Sequence, residues 1–511
     1  MLMHHDEFSD ESLLESSMVD ADRGSDKPEE ACGVFGIYAP NEDVAKLTYF
    51  GLYALQHRGQ ESAGIAAFAG LDNPAAVQVH IHKDMGLVSQ VFNESVLASL
   101  QGELAIGHTR YSTTGSSRVV NAQPAVVETR LGLLALAHNG NLVNTPNLRA
   151  ELLESQVSLL TTTDSELIAF ALAEAVNTGL DWVQGAMQAF QRCQGAFSLV
   201  IGTPHGIIAT RDPNGFRPLV LGTLDSDRPD EAPNYVVASE SCALDIIGAD
   251  YVRDVEPGEL VWITQEGITS VQWAPPVKRK LCIFEMIYFA RPDSVMHDES
   301  LYSYRLRLGR QLAMESAAGI EADLVMGVPD SGIPAAIGFS QQSGITYAEG
   351  LIKNRYVGRT FIQPTQSMRE LGIRVKLNPL KDVLAGKRVV IVDDSLVRGT
   401  TSRKIVKALR EAGATQVHMR ISSPPVTHPC FYGIDTDNQD QLIGATKSVE
   451  EIAQQIGVDS LAYLSWGGML LATGEDPESF CSACFTGNYP VPIPESVKRS
   501  KLMLETVTPC G

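Results

Sequence analysis

VVIVDDSLVRGTT (389–401) is an apolar run that ends in two carboxylates and passes into a polar loop containing glycine, and SRKIVKALREAG (402–413) follows at once with helical spacing. A buried strand, a loop and a helix in that order bring loop amides and a helix N-terminus to one place. The positive end of the helix dipole favours a phosphate monoester there. Asp393 and Asp394 suit ribose hydroxyls and the surroundings of a hard cation such as Mg²⁺. The same letters suit an acid-capped strand in any α/β domain, or a phosphorylatable receiver domain. A receiver places this strand at its domain start and carries a second aspartate and a lysine at later strand ends. Neither is evident here, and the RGTTS loop directly after the acids points to phosphate binding.

Around this stretch, ADLVMGVP (322–329), KRVVIVDD (387–394) and VHMRISSP (417–424) alternate with helical segments such as SYRLRLGRQLAMESA (303–317), which predicts a parallel α/β domain. APPVKRK (274–280) interrupts the pattern with prolines and basic residues and marks a linker. Before it the rhythm differs. CGVFGIYA (32–39), AGIAAF, LAIGHTR, LLALAHNG, FSLVIG, IIATRD, YVVASE and ELVWIT read as short strands broken by turns. With few helices between them, 44–56 being one, they predict a layered α+β domain. The last forty residues are rich in turns, and no internal repeat or transmembrane run is present.

The 511 residues exceed what one hydrophobic core organises, so two or more domains are expected. Hydrophobic residues at 44% and charged residues at 20% exclude a fibrous, disordered or membrane-embedded chain. The formal charge of −21 repels nucleic acid and anionic membranes, so an anionic substrate must be met by local arginines, backbone amides or a metal. Eight irregularly spaced cysteines without a secretory leader argue against a disulfide framework and for a reducing cytoplasm. Residues 1–31 are acidic and serine-rich, fit neither a secretory nor an organellar leader, and read as a disordered lead-in. They are either an ordinary ragged terminus or a propeptide whose removal exposes Cys32.

If Cys32 becomes the first residue, its own α-amine, with an unperturbed pKa of about 7.7–8.0, can serve as its base, and no catalytic histidine is needed. The pieces that complete such a site are GHTRYSTTG (107–115), HNGNLVN (138–144) and TTTDSE (161–166), expected at strand ends or in polar loops. The Asn139 amide and the Gly140 backbone N–H can donate to a developing oxyanion. Arg110 offers a fork for a carboxylate and Asp164 a counter-charge for an ammonium, the two ends of a free amino acid. Singly, each has an ordinary explanation: a turn, a salt-bridged arginine, a core cysteine.

CGVFGI, QHRGQESAGIA (56–66), GHTRYSTTG, HNGNLVN and TTTDSE together resemble the glutaminase domain of the N-terminal-nucleophile amidotransferases. The resemblance implies an αββα sandwich, Cys32 as nucleophile by way of a glutamyl thioester, Arg110 and Asp164 on the glutamine α-carboxylate and α-amine, Asn139 with Gly140 as oxyanion hole, and a propeptide over 1–31. Residues 389–401 resemble the signature of the type I phosphoribosyltransferases. That likeness implies a parallel-sheet domain in which VPDSG (328–332) and a mobile basic flap, KNRYVGRTFIQP (353–364), hold the diphosphate. Its expected binding residues are Asp330, Ser331, Gly332, Lys353, Arg355, Arg359, Asp393, Asp394, Ser395, Arg398, Gly399, Thr400 and Thr401, with Mg²⁺ near Ser331, Asp393 and Asp394. Gly358 supplies the flap with flexibility and Lys353, Arg355 and Arg359 with charge.

A glutaminase followed by this second half is similar to the amidophosphoribosyltransferases from Cys32 to about Tyr489. The expected limits are 1–31 for the propeptide, 32–273 for the glutaminase, 274–470 for the phosphoribosyltransferase and 471–511 for a C-terminal segment. Cys481 and Cys484 form a CxxC pair, with Cys282 and Cys430 distant. Such a set suits zinc, an iron–sulfur cluster or plain buried thiols. The surrounding words resemble the subgroup that carries a [4Fe–4S] cluster on Cys282, Cys430, Cys481 and Cys484. Feedback by purine nucleotides and a homotetramer are implied by resemblance alone. Cys193, Cys242 and Cys510 carry no expected role. The competing readings are another glutamine amidotransferase, against which the 389–401 block argues, and a nucleotide-sensing regulator, for which the Cys32, Arg110, Asn139 and Asp164 set is superfluous.

Overall fold

The computed structural model describes residues 32–111, 117–225, 234–354, 377–436 and 438–495. The lead-in 1–31, Arg355, Gly358, Arg359 and Cys510 lie outside the described residues.

Among the described residues the first half holds thirteen strands: β1 (Gly33–Tyr38), β2 (Ser62–Ala69), β3 (Gln78–Met85), β4 (Leu104–Arg110), β5 (Ala125–Thr129), β6 (Gly132–Leu142), β7 (Gly195–Thr203), β8 (Gly206–Arg211), β9 (Val220–Leu224), β10 (Asn234–Ala238), β11 (Asp250–Asp254), β12 (Glu259–Thr264) and β13 (Gly267–Gln272). They form two antiparallel sheets, ordered β11-β9-β10-β1-β4-β2-β3 and β13-β12-β8-β7-β6-β5. Val34, Phe68, Ile106, Ala137 and Val200 fill the space between the sheets. Phe35 and Ile37 face the other way, toward helix Val44–Ala54. On the far side of the second sheet, helices Asp164–Asn177 and Trp182–Phe190 cover Leu134, Leu136 and Leu199. Because both faces of the inner strands are buried, β1, β7 and β8 read as near-continuous apolar runs, whereas the edge strands β3 and β13 keep polar, exposed positions. The result is the expected αββα sandwich. TTTDSE, expected as a loop or strand end, is instead the start of a fourteen-residue helix with Thr163 as its N-cap. Asn139 and Gly140 lie inside the eleven-residue strand β6 rather than at its end.

β14 (Leu281–Cys282) opens the second half, followed by the hairpins β15 (Val295–Met296) with β16 (Glu299–Ser300) and β18 (Leu351–Lys353) with β19 (Leu377–Pro379). β17 (Leu324–Gly327), β20 (Arg388–Asp393), β21 (Gln416–Ile421) and β22 (Ser460–Tyr463) make a parallel sheet in that order. Helices Leu301–Ser316 and Ile333–Ser343 cover one face and helices Thr400–Glu411 and Val449–Ile456 the other. β23 (Phe480–Cys481) returns to pair in parallel with β14, Leu281 beside Phe480 and Cys282 beside Cys481.

The halves meet over a buried ionic network. Glu285 accepts from Arg58 Nη1 at 3.0 Å and from Arg217 Nη1 at 2.9 Å. The Arg58 Nε lies 3.2 Å from Glu240 Oε1, which also faces His57 Nε2 at 2.7 Å. Glu240 Oε2 accepts from Ser294 Oγ and the Arg291 N–H at 2.7 and 2.8 Å. Burial alone would raise the Glu240 pKa, but His57 and Arg58 hold it well below the usual carboxylate range.

Candidate active site

Cys32 immediately precedes β1, and Gly33 stands opposite Thr109 on β4, so the register sets the thiol beside Arg110. Its Sγ donates to the Tyr111 carbonyl at 3.3 Å. Burial pushes the Cys32 thiol up to about 11; the Tyr111 contact and the Arg110 charge act against this, while Glu61 and Asp164 add to it. The same three charges therefore surround the sulfur.

Arg110 ends β4 and is buried, with Nη1 donating to Glu61 Oε1 at 2.7 Å. Asp164 opens its helix, where the dipole favours an anion. Its Oδ2 accepts from the Leu142 N–H at 3.0 Å, and its Oδ1 faces His138 Nδ1 at 3.5 Å. Burial opposes the ionised form, yet His138 and the Leu142 amide hold the Asp164 pKa below its ordinary value.

The decisive geometry is at Asn139 and Gly140. Asn139 shares a strand face with Ala135 and Ala137, which point into the space between the sheets. It is wholly buried, and among the described residues neither its Oδ1 nor its Nδ2 finds a partner. A buried amide left unpaired costs about 1–3 kcal/mol, so its retention calls for a reason. Gly140 has φ +145°, and a Cβ there would meet the Ala196 carbonyl at 2.1 Å, so no larger residue fits. β5 covers β6 only from Gly132 to Leu136, leaving 138–142 as an open edge. The His138 N–H donates across that edge to Gln123 Oε1 at 2.8 Å, and the Leu142 N–H donates to Asp164. Alternate amides of a strand point the same way, so the Gly140 N–H faces the same edge between them. Phe197, its opposite number on β7, turns its own N–H and C=O to Asp212, away from β6.

In the second half, Asp393 ends β20 and Asp394 follows it, both buried. The Ser395 hydroxyl donates to Asp394 Oδ1 at 2.7 Å. The Val328 N–H donates to the Val392 carbonyl at 2.9 Å, so the loop 328–332 lies against the acidic pair and brings Asp330, Ser331 and Gly332 to it. Lys353 reaches back to Asp330 in an exposed ion pair. Gly399, at φ +77°, caps helix Thr400–Glu411, which sets Thr400 and Thr401 at its N-terminus, and Arg398 donates to Gln441 Oε1 at 3.1 Å. Among the described residues no three His, Cys, Asp or Glu side chains stand ready around one metal ion. Two carboxylates are what Mg²⁺ uses when substrate oxygens supply the rest, so the acidic pair fits that ion.

Pairing of β14 with β23 sets Cys282 beside Cys481, Cys484 follows in the next turn, and Cys430 joins the same apolar surroundings. Burial pushes the Cys282 thiol up to about 11, with Arg217 acting against it, and burial likewise raises Cys481 and Cys484, each of which feels the other thiols. Four thiols drawn into adjoining apolar clusters suit zinc or an iron–sulfur cluster alike by their chemistry. Cys193, pushed up to about 12 by burial, is an inert core thiol.

A glutamine amidotransferase domain model matches residues 108–245 and a phosphoribosyl transferase domain model matches 306–422. The amidophosphoribosyltransferase of Synechocystis is 72% identical over 95% of this chain and 96% of its own length. The chain belongs to the amidophosphoribosyltransferases. The Bacillus subtilis amidophosphoribosyltransferase is 48% identical over 91% of this chain and 95% of its own. A solved structure of the B. subtilis glutamine phosphoribosylpyrophosphate amidotransferase, complexed with ADP and GMP, superposes with a TM-score of 0.83 at 47% identity, covering 91% of this chain and 98% of that one. As an amidophosphoribosyltransferase, the enzyme takes the amide nitrogen of glutamine to phosphoribosyl pyrophosphate, forming 5-phosphoribosylamine, glutamate and diphosphate in purine biosynthesis.

Sequence reasoning gave Glu61 no role, although it stands in QHRGQE, and passed over His138 in HNGN. In this amidophosphoribosyltransferase Glu61 occupies Arg110 and His138 orients Asp164. It also passed over Glu285, a lone acid in the apolar run CIFEMIYF, which was the available signal for a buried ion pair.

Proposed function

We propose that Cys32, made N-terminal by loss of residues 1–31, carries the glutaminase half of the reaction. The α-amine takes the thiol proton, and the sulfur attacks the glutamine amide carbon. The oxyanion that forms is held by the Asn139 amide and the Gly140 N–H, while Arg110 and Asp164 grip the α-carboxylate and α-ammonium. Collapse expels ammonia with the proton returned, and water cleaves the thioester to glutamate. The observation that carries this reading is the unpartnered Asn139 amide next to the outward-facing Gly140 N–H. Asn139→Ala is expected to lower glutamine-dependent kcat by about 10²–10³-fold without lowering the thermal midpoint, since it breaks no hydrogen bond; an unchanged kcat removes the amide from the mechanism.

Ammonia then attacks the anomeric carbon of phosphoribosyl pyrophosphate as diphosphate leaves, in the half spanning 274–470. Asp393 and Asp394 face the ribose, the loop after β20 with Ser395, Arg398, Gly399, Thr400 and Thr401 cradles the 5-phosphate, and Asp330 to Gly332 with Lys353, Arg355 and Arg359 meets the diphosphate. Ser331, Asp393 and Asp394 would hold Mg²⁺, which would supply positive charge to the departing diphosphate. Cys282, Cys430, Cys481 and Cys484, the last two from segment 471–511, hold a [4Fe–4S] cluster that is structural and regulatory. Purine nucleotides act as feedback inhibitors, as the ADP and GMP of the B. subtilis complex suggest, on a cytoplasmic homotetramer.

An anaerobic assay with glutamine, phosphoribosyl pyrophosphate and Mg²⁺ tests the reading: glutamate and diphosphate are expected to appear together. Glutamate without diphosphate would detach the acceptor assignment. Iron and acid-labile sulfide in the same preparation distinguish a cluster from zinc.

A further inference from the structure

The oxyanion strand is touched by a segment that the glutaminase fold does not supply. The turn Cys430–Gly433 comes from the second half, yet it lies directly on β6. The Asn141 Nδ2 donates to the Phe431 carbonyl at 3.0 Å. The Tyr432 carbonyl accepts from Arg217 Nε and Nη2 at 3.1 and 3.0 Å, and the Tyr432 ring stacks on Phe216 with centroids 4.4 Å apart. Gly433 has φ +107°, and a Cβ built on it would stand 3.1 Å from the Gly140 carbonyl carbon and 3.1 Å from Arg217 Nη2. The backbone of Gly433 therefore lies against the Gly140 peptide, on the stretch of β6 that β5 leaves uncovered.

Resting on the reading of Asn139 and Gly140 given above, we propose that the Cys430–Gly433 turn is a positioning element of the glutaminase. It clamps the Gly140 peptide so that its N–H and the Asn139 amide are aimed together. β7 holds β6 on one side only, so on the open side the Gly140 peptide has no ladder partner to fix its tilt, and a misplacement of about 1 Å can cost on the order of 10²-fold in rate. The second half supplies the missing constraint. Asn141 fastens the turn from below, Arg217 and Phe216 hold it from the side, and Gly433 gives the clearance that brings the two backbones together. Glutamine hydrolysis thus needs the two halves docked, even though every group proposed to touch glutamine lies in the first.

The test compares Gly433→Ala and Asn141→Ala with the full-length parent. Gly433→Ala pushes a methyl group at Gly140 and is expected to lower glutamine-dependent kcat by about 10–100-fold with little change in glutamine KM. Its ratio of glutamine-dependent to ammonia-dependent turnover falls by the same factor. Asn141→Ala, which adds no bulk, is expected to move the ratio in the same direction by a smaller amount. In the double variant Asn139→Ala/Gly433→Ala the losses are expected to be less than additive, because both act through one oxyanion. Labelling of Cys32 by a diazoketone glutamine analogue reports on the same geometry without turnover and is expected to slow in parallel. Wild-type kcat in both single variants, equal loss of both activities, or a pure KM effect overturns the clamp. A Cys32→Ala enzyme that still uses glutamine would instead overturn the underlying nucleophile assignment, so the two failures are separable.

Discussion

Cys32→Ala is expected to abolish glutamine-dependent formation of 5-phosphoribosylamine, a loss of at least about 10³-fold set by removing the only covalent route, while high concentrations of ammonia still support turnover. The reason is spatial. Cys32, Arg110, Asn139 and Asp164 all belong to the first half, and Asp393, Asp394 and the 328–332 loop belong to the second. A change at the sulfur removes the ammonia source and leaves the acceptor chemistry intact. Parallel assays of diphosphate release with each nitrogen donor read this directly, and loss of both activities would show that the thiol serves something else. The raised thiol pKa adds a chemical signature. With residues 1–31 attached, burial holds the thiol up to about 11, so the thiolate fraction is small near neutrality and grows as pH rises toward that value. Alkylation of Cys32 by iodoacetamide in the unprocessed chain, followed by peptide mass mapping, is expected to be slow at pH 7.5 and to accelerate with pH.

Glu285→Ala is expected to be the most destabilising single change at the seam between the halves. Glu285 is wholly buried, and its two oxygens take one arginine from each of two separate loops, Arg58 and Arg217. Removing it leaves two guanidiniums buried without their shared anion, at a cost of about 3–5 kcal/mol. Chemical denaturation is expected to show an earlier transition, and calorimetry a separation of the two halves' unfolding. A wild-type profile would mean that the network joins nothing. Glu240 gives the same seam a dependence on acidity. Its folded pKa is depressed, so its contribution is present above its ordinary value near 4.5 and is lost as pH falls below that value toward the folded pKa. The contribution of Glu240 to the docked halves therefore declines as pH falls on the acid side.

Much of this was readable from the chain. The strand at 389–394 with its acids and the run beginning at Cys32 are local patterns, and the structure has strands there, Arg388–Asp393 and Gly33–Tyr38. The helices at 164–190 were less legible because TTTDSE carries cap and turn residues that hide a helix start, and because Leu, Ala and Val on nearly every face leave no polar stripe to betray its period. Pairings across the seam were not legible at all. Nothing local in QHRG, RDPNGFR or CIFEMIYF says that Arg58, Arg217 and Glu285 will meet, since such contacts depend on how two finished domains dock. The same holds for Gly433, whose neighbour Gly140 lies almost three hundred residues earlier in the chain and is visible only in the folded molecule.

The pairing of β14 with β23 has a consequence for the order of synthesis. Both sheets of the first half are complete once Gln272 has been made, and they can assemble while the ribosome is still at work. Leu281 and Cys282, by contrast, wait for Phe480 and Cys481, and the turn that braces Gly140 is itself translated late. An interrupted polypeptide is thus left with a finished but unbraced amide-hydrolysing half, and the cell is spared a fragment that consumes its nitrogen donor with no sugar phosphate to receive the product.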